Sequence, residues 1–212
     1  MGLKSLIKRD KERRRLSIRH LVLAAIASLG GKAPRREYIH KILYALVRHH
    51  PELEDILLFE SYRRGPWSEA VADTLDALID EGVIEVTTGE GLVLNEELSR
   101  VKSSLSRVIP QSILEDLEEI GELFSQMSLD ELLLYVYTIY GGHENSEIKD
   151  RVFRKRRELA ISMLKKGLIS TGLAAKLAGM SYREFIQYLR RKGIKPYVAE
   201  ESDIDKAANI SI

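Results

Sequence analysis

The chain has 212 residues, of which 31% are charged, yet 33 Lys/Arg against 32 Asp/Glu leave a formal net charge of only +1. It contains no cysteine, which excludes disulfides, thiolate nucleophiles and cysteine metal sites. No apolar run reaches the roughly 18 residues that a membrane-spanning helix needs. The sequence therefore predicts a cytoplasmic protein with no membrane partner. Its sparse Asn and Gln beside many Lys, Glu and Arg match the composition of thermophile proteins.

Residues 1–15 form a basic leader, part of a run with Lys4, Lys8, Arg9, Lys11, Arg13, Arg14, Arg15 and Arg19 against Asp10 and Glu12. Such a run suits nucleic-acid phosphates or an anionic surface, and equally a solvated leader helix. Residues 16–107 read as a winged helix. Its first helix spans Leu16 to Leu29 and ends at Gly30-Gly31. The second spans Arg36 to His49, with Ile39, Ile42, Leu43, Leu46 and Val47 inward. Ser68 caps a third helix over Glu69 to Glu81. VIEVTT and GLVL then make a β-hairpin, the wing.

By topology the third helix is the reader of DNA, but its chemistry disagrees. Val71, Leu75, Leu78 and Ile79 face inward, which leaves Glu69, Asp73, Asp76 and Asp80 outward. A row of carboxylates is repelled by the phosphates of a duplex. Glu69, Asp73 and Asp76 are therefore expected to bind a protein partner, unless this module meets DNA through Arg35, Arg36, Arg63 and Arg64 or serves as plain scaffold. The pattern KILYAL followed by YRRGPWSEAVADTLDALIDEGVI resembles the Panacea-type antitoxin domains over residues 38 to 85, apart from Arg64 and Trp67 in the turn. That resemblance implies a winged-helix module.

Residues 108–145 read as an acidic helical connector. Glu115, Asp116, Glu118, Glu119, Glu122, Asp130 and Glu131 stand without a single Lys or Arg between 109 and 134. Helices are predicted over Gln111 to Gln126 and Leu129 to Tyr140, the latter opened by a Ser128–Glu131 capping box. Leu132, Val136, Ile139 and Tyr140 form its apolar stripe. Gly141-Gly142 and HENSE read as a linker that closes the first part of the chain.

The sign then reverses. Residues 146–195 read as a helix-turn-helix domain, opened by an amphipathic helix with Phe153, Ala160, Met163 and Leu164 on one face. Lys149, Arg151, Arg154, Lys155, Arg156, Arg157, Lys165 and Lys166 make its basic side. The acidic connector and this basic module are two solvated faces, or else complementary surfaces that mask one another until DNA competes. In ISTGLAAKLAGMSYREFIQYL, Ala175 allows close helix crossing and Gly179 supplies the φ > 0 turn. Ser181 and Glu184 form a capping box, and Phe185, Ile186 and Leu189 close a core with Leu173 and Leu177.

The opposite face carries Arg183 and Gln187 one turn apart, suited to bidentate contacts with guanine and adenine. Ser181, Arg190, Arg191, Lys192 and Lys195 suit backbone phosphates. Tyr182 serves either packing or a phosphate contact. The stretch from Glu158 to Asp205 is similar to the small VapB-like antitoxins of an uncharacterised protein family. Gly167, Ile169, Ser170, Gly172, Ala174, Ala175, Leu177, Ala178, Gly179, Met180, Ser181, Phe185, Gly193 and Ile194 occupy that family's pattern. The resemblance implies a DNA-binding regulator that also neutralises a toxin. Residues 196–212 form an acidic tail, in which Tyr197, Val198 and Ile204 would anchor such a partner.

The five histidines have no metal-ligand spacing, and no phosphate loop or nucleophile elbow occurs, so neither an enzyme nor a cofactor is expected. The combined expectation is a mainly α protein with an N-terminal winged helix, a small β-hairpin, an acidic helical connector and a C-terminal three-helix helix-turn-helix. It would act as a sequence-specific regulator on double-stranded DNA, as a homodimer, and possess the surfaces of an antitoxin. The rival expectation is an interaction adaptor or toxin-neutralising module that never meets DNA.

Overall fold

In the computed structural model, residues 16–194 are described. The chain divides into two compact units, residues 1–150 and 151–212. The protein is mainly helical with small antiparallel sheets. The basic leader and the acidic tail, with Tyr197 and Ile204, lie outside the described residues.

The first unit runs through α1 (Ile18–Ser28), β1 (Lys32–Ala33) and α2 (Arg36–His49). A short 3-10 turn (Pro51–Leu53) and α3 (Glu54–Leu57) lead into a hairpin of β2 (Glu60–Tyr62) and β3 (Gly65–Trp67), with Glu60 opposite Trp67. Then come α4 (Glu69–Asp80), β4 (Ile84–Val86) and β5 (Leu92–Leu94). β5 lies between β1 and β4, antiparallel to both. The elements of this part run helix–strand–helix–helix–strand–strand, with α3 and the β2–β3 hairpin inserted before α4. Two three-residue strands joined by Arg63-Arg64 are too short for an alternating pattern to register.

The first unit continues with α5 (Leu98–Leu105), α6 (Gln111–Ser125) and α7 (Leu129–Ile139). Here the structure departs from the reading of 108–145 as a separate connector. α6 packs on α1 and α2, and α7 packs on α2, inside the first unit. Ile113, Leu117 and Phe124 supply its buried side, while Glu115, Glu119 and Glu122 point outward. A dense row of carboxylates is here the solvent face of a core helix. In α7 the buried set is wider than one stripe, taking in Leu132, Leu133, Leu134, Val136 and Tyr137. The Ser128–Glu131 capping box forms as expected.

The segment read as a linker is also part of this unit. Asn145 donates its backbone N–H to Ser61 Oγ at 3.1 Å, and Glu147 donates to the Arg63 carbonyl at 3.0 Å. These bonds fasten residues 145–147 to the β2–β3 hairpin, and the division of the chain falls after Asp150.

α2 is the axis of the first unit, buried continuously from Tyr38 to Val47. That run includes two basic side chains, His40 and Lys41, both with no exposed surface. Lys41 Nζ donates to the Pro66 carbonyl at 2.7 Å. The His40 ring stacks on Trp67 at 3.7 Å, and its Nδ1 accepts the Ser68 backbone N–H at 3.3 Å. The motif KILYAL, through Lys41–Pro66, and the preceding residue His40, through Trp67, thus meet YRRGPWS, some twenty positions further along the chain.

Burial lowers the Lys41 pKa from 10.5 to about 7, with Glu37 opposing and Arg64 adding to the shift. A base whose pKa is depressed on folding binds fewer protons than the unfolded chain between the two values. Lys41 therefore costs stability at neutral pH and ceases to do so as pH rises towards its unfolded value. Urea unfolding followed by tryptophan emission should show the first unit gaining stability between about pH 7 and pH 9.5, and Lys41→Met should flatten that gain. An unchanged slope in the variant would assign it to other groups.

The second unit begins within α8 (Lys149–Arg154) and continues as α9 (Arg156–Lys165), α10 (Thr171–Ala178) and α11 (Tyr182–Arg191). The single amphipathic helix expected over 149–166 is broken at Lys155, which has left helical geometry at φ −94° and ψ 3°. Val152, Ala160, Met163, Ile169, Ala174, Leu177, Phe185 and Leu189 form the core. Among the described residues, no helix is long and apolar enough to cross a membrane.

Candidate nucleic-acid interface

α10 and α11 are joined by Gly179, Met180 and Ser181. Ser170 caps α10, its Oγ accepting the Leu173 N–H at 3.2 Å. Gly179 ends the helix at φ +68° and ψ 37°, a left-handed conformation that glycine adopts at little cost. Ser181 Oγ then accepts the Glu184 N–H at 3.3 Å, while the Glu184 carboxylate accepts the Ser181 N–H at 2.9 Å. The expected capping box is therefore present and fixes the start of α11. These hydrogen bonds to the charged form, from the Ser181 hydroxyl and backbone, hold the Glu184 carboxyl below its usual pKa.

α11 is strongly two-sided. Phe185 and Leu189 are fully buried and Ile186 is half-buried, against Leu177 and Ala174 of α10 in the same core. Arg183, Gln187, Arg190, Arg191 and Lys192 are all exposed. Tyr182, open to either role in the sequence, is 52% exposed and takes no place in the core. No hydrogen bond or ion pair ties the side chains of Arg183, Gln187, Arg190 or Arg191 to another described residue. Lys192 lies 5.9 Å from the Tyr188 ring centroid, and Arg157 of α9 lies 6.0 Å from the same ring.

One supporting residue carried no sequence signal. Arg156 donates its Nε–H to the Leu177 carbonyl at 2.9 Å, and its guanidinium occupies the space that a side chain at Gly179 would need. It thereby satisfies a carbonyl at the C-terminal end of α10 and buttresses the turn. Arg156 precedes the turn by more than twenty residues, and the basic run around it gives no means of telling it from its neighbours. Phe153 backs it, the guanidinium lying 5.3 Å from the ring centroid. Burial lowers the Arg156 pKa, with Arg157 adding to the effect.

The residues singled out in the first unit have a different character. Glu69, Asp73 and Asp76 are exposed on α4, and Asp76 pairs with Arg36 at 2.6 Å. Arg35, Arg36, Arg63 and Arg64 are brought together around one cavity, and each is paired with a carboxylate: Glu90, Asp76, Glu147 and Glu37 respectively. These four guanidiniums are thus each paired with a carboxylate, whereas those of Arg183, Arg190 and Arg191 in α11 have no such partner among the described residues.

No solved structure matches this chain. A UPF0175 protein of Aeropyrum pernix is 44% identical over 48 residues, which covers 23% of this chain and 54% of that protein. The chain thus spans about half the length of the curated relative that it matches. Residues 145–211, which hold α8 to α11 and the whole candidate interface, match the uncharacterised protein family UPF0175.

Proposed function

We propose that this protein is a sequence-specific DNA-binding regulator whose reading helix is α11. The observation that carries the reading is an exposed face of Arg183, Gln187, Arg190 and Arg191 without partners among the described residues, on a helix held by a tight turn and a capping box. Arg183 and Gln187 face base edges in the major groove. Ser181, Tyr182, Arg190, Arg191 and Lys192 hold the flanking phosphates, setting position without specifying sequence. One such unit reaches only a few base pairs, so the working form is a homodimer on a two-fold site. In the antitoxin variant of this reading, the same protein also binds a toxin.

The test is fluorescence anisotropy with the DNA upstream of its own gene, across a salt series. Binding should saturate and weaken steeply as salt rises, because basic side chains release condensed counterions. Arg183→Ala/Gln187→Ala should lose preference for that DNA over random duplex by about 10- to 100-fold per lost base contact, while keeping the salt-sensitive background. Equal, weak binding to every duplex by both proteins would overturn the reading.

The exposed carboxylates of α4 favour a second reading for the first unit, as a surface for a basic protein partner. Reversing Glu69 and Asp73 to lysine should then abolish co-purification with the product of the adjacent gene. Retention of the partner by that variant would remove α4 from the account.

A further inference from the structure

The first unit contains a cavity of about 470 Å³ that no part of the DNA-binding reading uses. Its walls combine Tyr62 and Trp67, whose ring centroids are 6.4 Å apart, with Arg35, Arg36, Arg63 and Arg64. Its size falls within the roughly 300–1,000 Å³ usual for small-molecule sites. Trp67 is held from behind by the His40 ring, stacked at 3.7 Å with planes 17° apart. The β3 strand that carries it is tied down by Lys41 through the Pro66 carbonyl. The Trp67 side of the wall is therefore fixed before any ligand arrives.

The four guanidiniums differ in how firmly they are held. Arg36 and Arg64 are in tight pairs with Asp76 and Glu37. The Arg35–Glu90 and Arg63–Glu147 pairs are both 3.4 Å long, and Glu90 and Glu147 are 76% and 67% exposed. Exposed pairs of this kind contribute little, so another anion can displace their carboxylates at little cost. Arg35 is also the N-cap of the 14-residue α2 and, having no side-chain oxygen, leaves the first-turn N–H groups without a side-chain acceptor. An anion at that end would meet both the helix terminus and two exchangeable guanidiniums.

The geometry points to a nucleoside phosphate as the ligand of this cavity. Its base would stack at Trp67 and Tyr62, and its phosphate would replace Glu90 at Arg35 and Glu147 at Arg63. A small anion suits the site better than a duplex, because Glu69, Asp73 and Asp76 on α4 and Glu85 on β4 would repel a long line of phosphates. This site is independent of α11, and its test is separable from that of DNA binding.

Trp67 is the one tryptophan of the chain, so its emission reports this wall alone. The probes are adenosine and guanosine monophosphates, adenosine without phosphate, inorganic phosphate without base, and a duplex oligonucleotide, all with inner-filter correction. Saturable quenching by the monophosphates is expected, with adenosine and phosphate each weaker by about tenfold or more, a difference of about 1.4 kcal/mol. Arg35→Gln/Arg63→Gln should weaken the monophosphates by a similar factor and melt at the wild-type temperature. Glu90→Gln should strengthen them, since the competing carboxylate is gone, and Arg183→Ala/Gln187→Ala should leave them unchanged. The proposal is overturned if no monophosphate saturates the signal, if phosphate alone does as well, or if the duplex binds this wall more tightly than the monophosphates.

Discussion

Phe185→Ala is expected to unfold the second unit at physiological temperature and to abolish DNA binding with it. Phe185 has no exposed surface and sits at the centre of a core supplied by four short helices. Truncating a buried phenylalanine costs about 3–5 kcal/mol, through lost burial and the cavity left behind. A unit of this size has little reserve against such a loss, because small units bury a small fraction of their surface. Far-UV circular dichroism reports helices of both units, whereas Trp67 emission reports only the first. The variant should lose helical signal at a lower temperature than the wild type while the Trp67 transition stays in place. Coincident, unshifted transitions by both probes would show that Phe185 contributes far less than its burial implies. The contrast with Arg183→Ala/Gln187→Ala, which leaves the fold intact, then separates loss of the unit from loss of base reading.

Gly65→Ala should be strongly damaging to the first unit. Gly65 opens β3 at φ +83°, a conformation in which a side chain costs about 1–2 kcal/mol. A methyl there would also lie 3.1 Å from Tyr137 Cζ and closer still to another ring carbon. Tyr137 is 2% exposed and is held by a 2.9 Å bond between its hydroxyl and Ser146 Oγ, so the ring cannot withdraw cheaply. Overpacking of a tight core adds about 1–3 kcal/mol, for a total loss of about 3 kcal/mol. Urea unfolding followed by Trp67 emission measures it. The double variant Gly65→Ala/Tyr137→Leu should recover part of the loss, because the ring that obstructs the methyl has gone. A loss below about 1 kcal/mol would mean that the β2–β3 hairpin relaxes freely, against the packing argued above.

Much of the candidate interface was legible because it is local. Ser181 and Glu184 are three residues apart, Gly179 marks the turn, and Phe185 and Leu189 share a face at helical spacing. Each of these relations is contained within a single turn or helix, where propensity and periodicity act directly. The exposure of Arg183 and Gln187 followed from the same periodicity. Tyr182 was not decided by it, since its stripe admits both packing and exposure. Its side chain stands at the edge of the stripe, one turn before the buried positions, and the core closes without it.

The first unit shows the opposite case. Lys41 appeared in the sequence as one more charged residue in an amphipathic helix, yet it is fully buried. α6 and α7 cover α2 on sides that the sequence of α2 alone leaves open. The acidic stretch looked like a connector because charge is conspicuous in a sequence, whereas packing partners are not. Ile113, Leu117 and Phe124 were present in that stretch, but only tertiary structure supplies the α1 and α2 surfaces that they cover.

By itself the sequence determined the mainly helical class, the limits of the long helices, the turn and caps around α11, and the sign of each exposed face. These follow from backbone chemistry and from periodicities that operate over a few residues. Tertiary structure alone decided that the acidic helices belong to the first unit, that Lys41 and His40 are buried, that Arg156 buttresses the Gly179 turn, and that four separate arginines surround one aromatic cavity. Those relations join residues tens of positions apart, and burial and ion pairing exist only once the chain has brought their partners together.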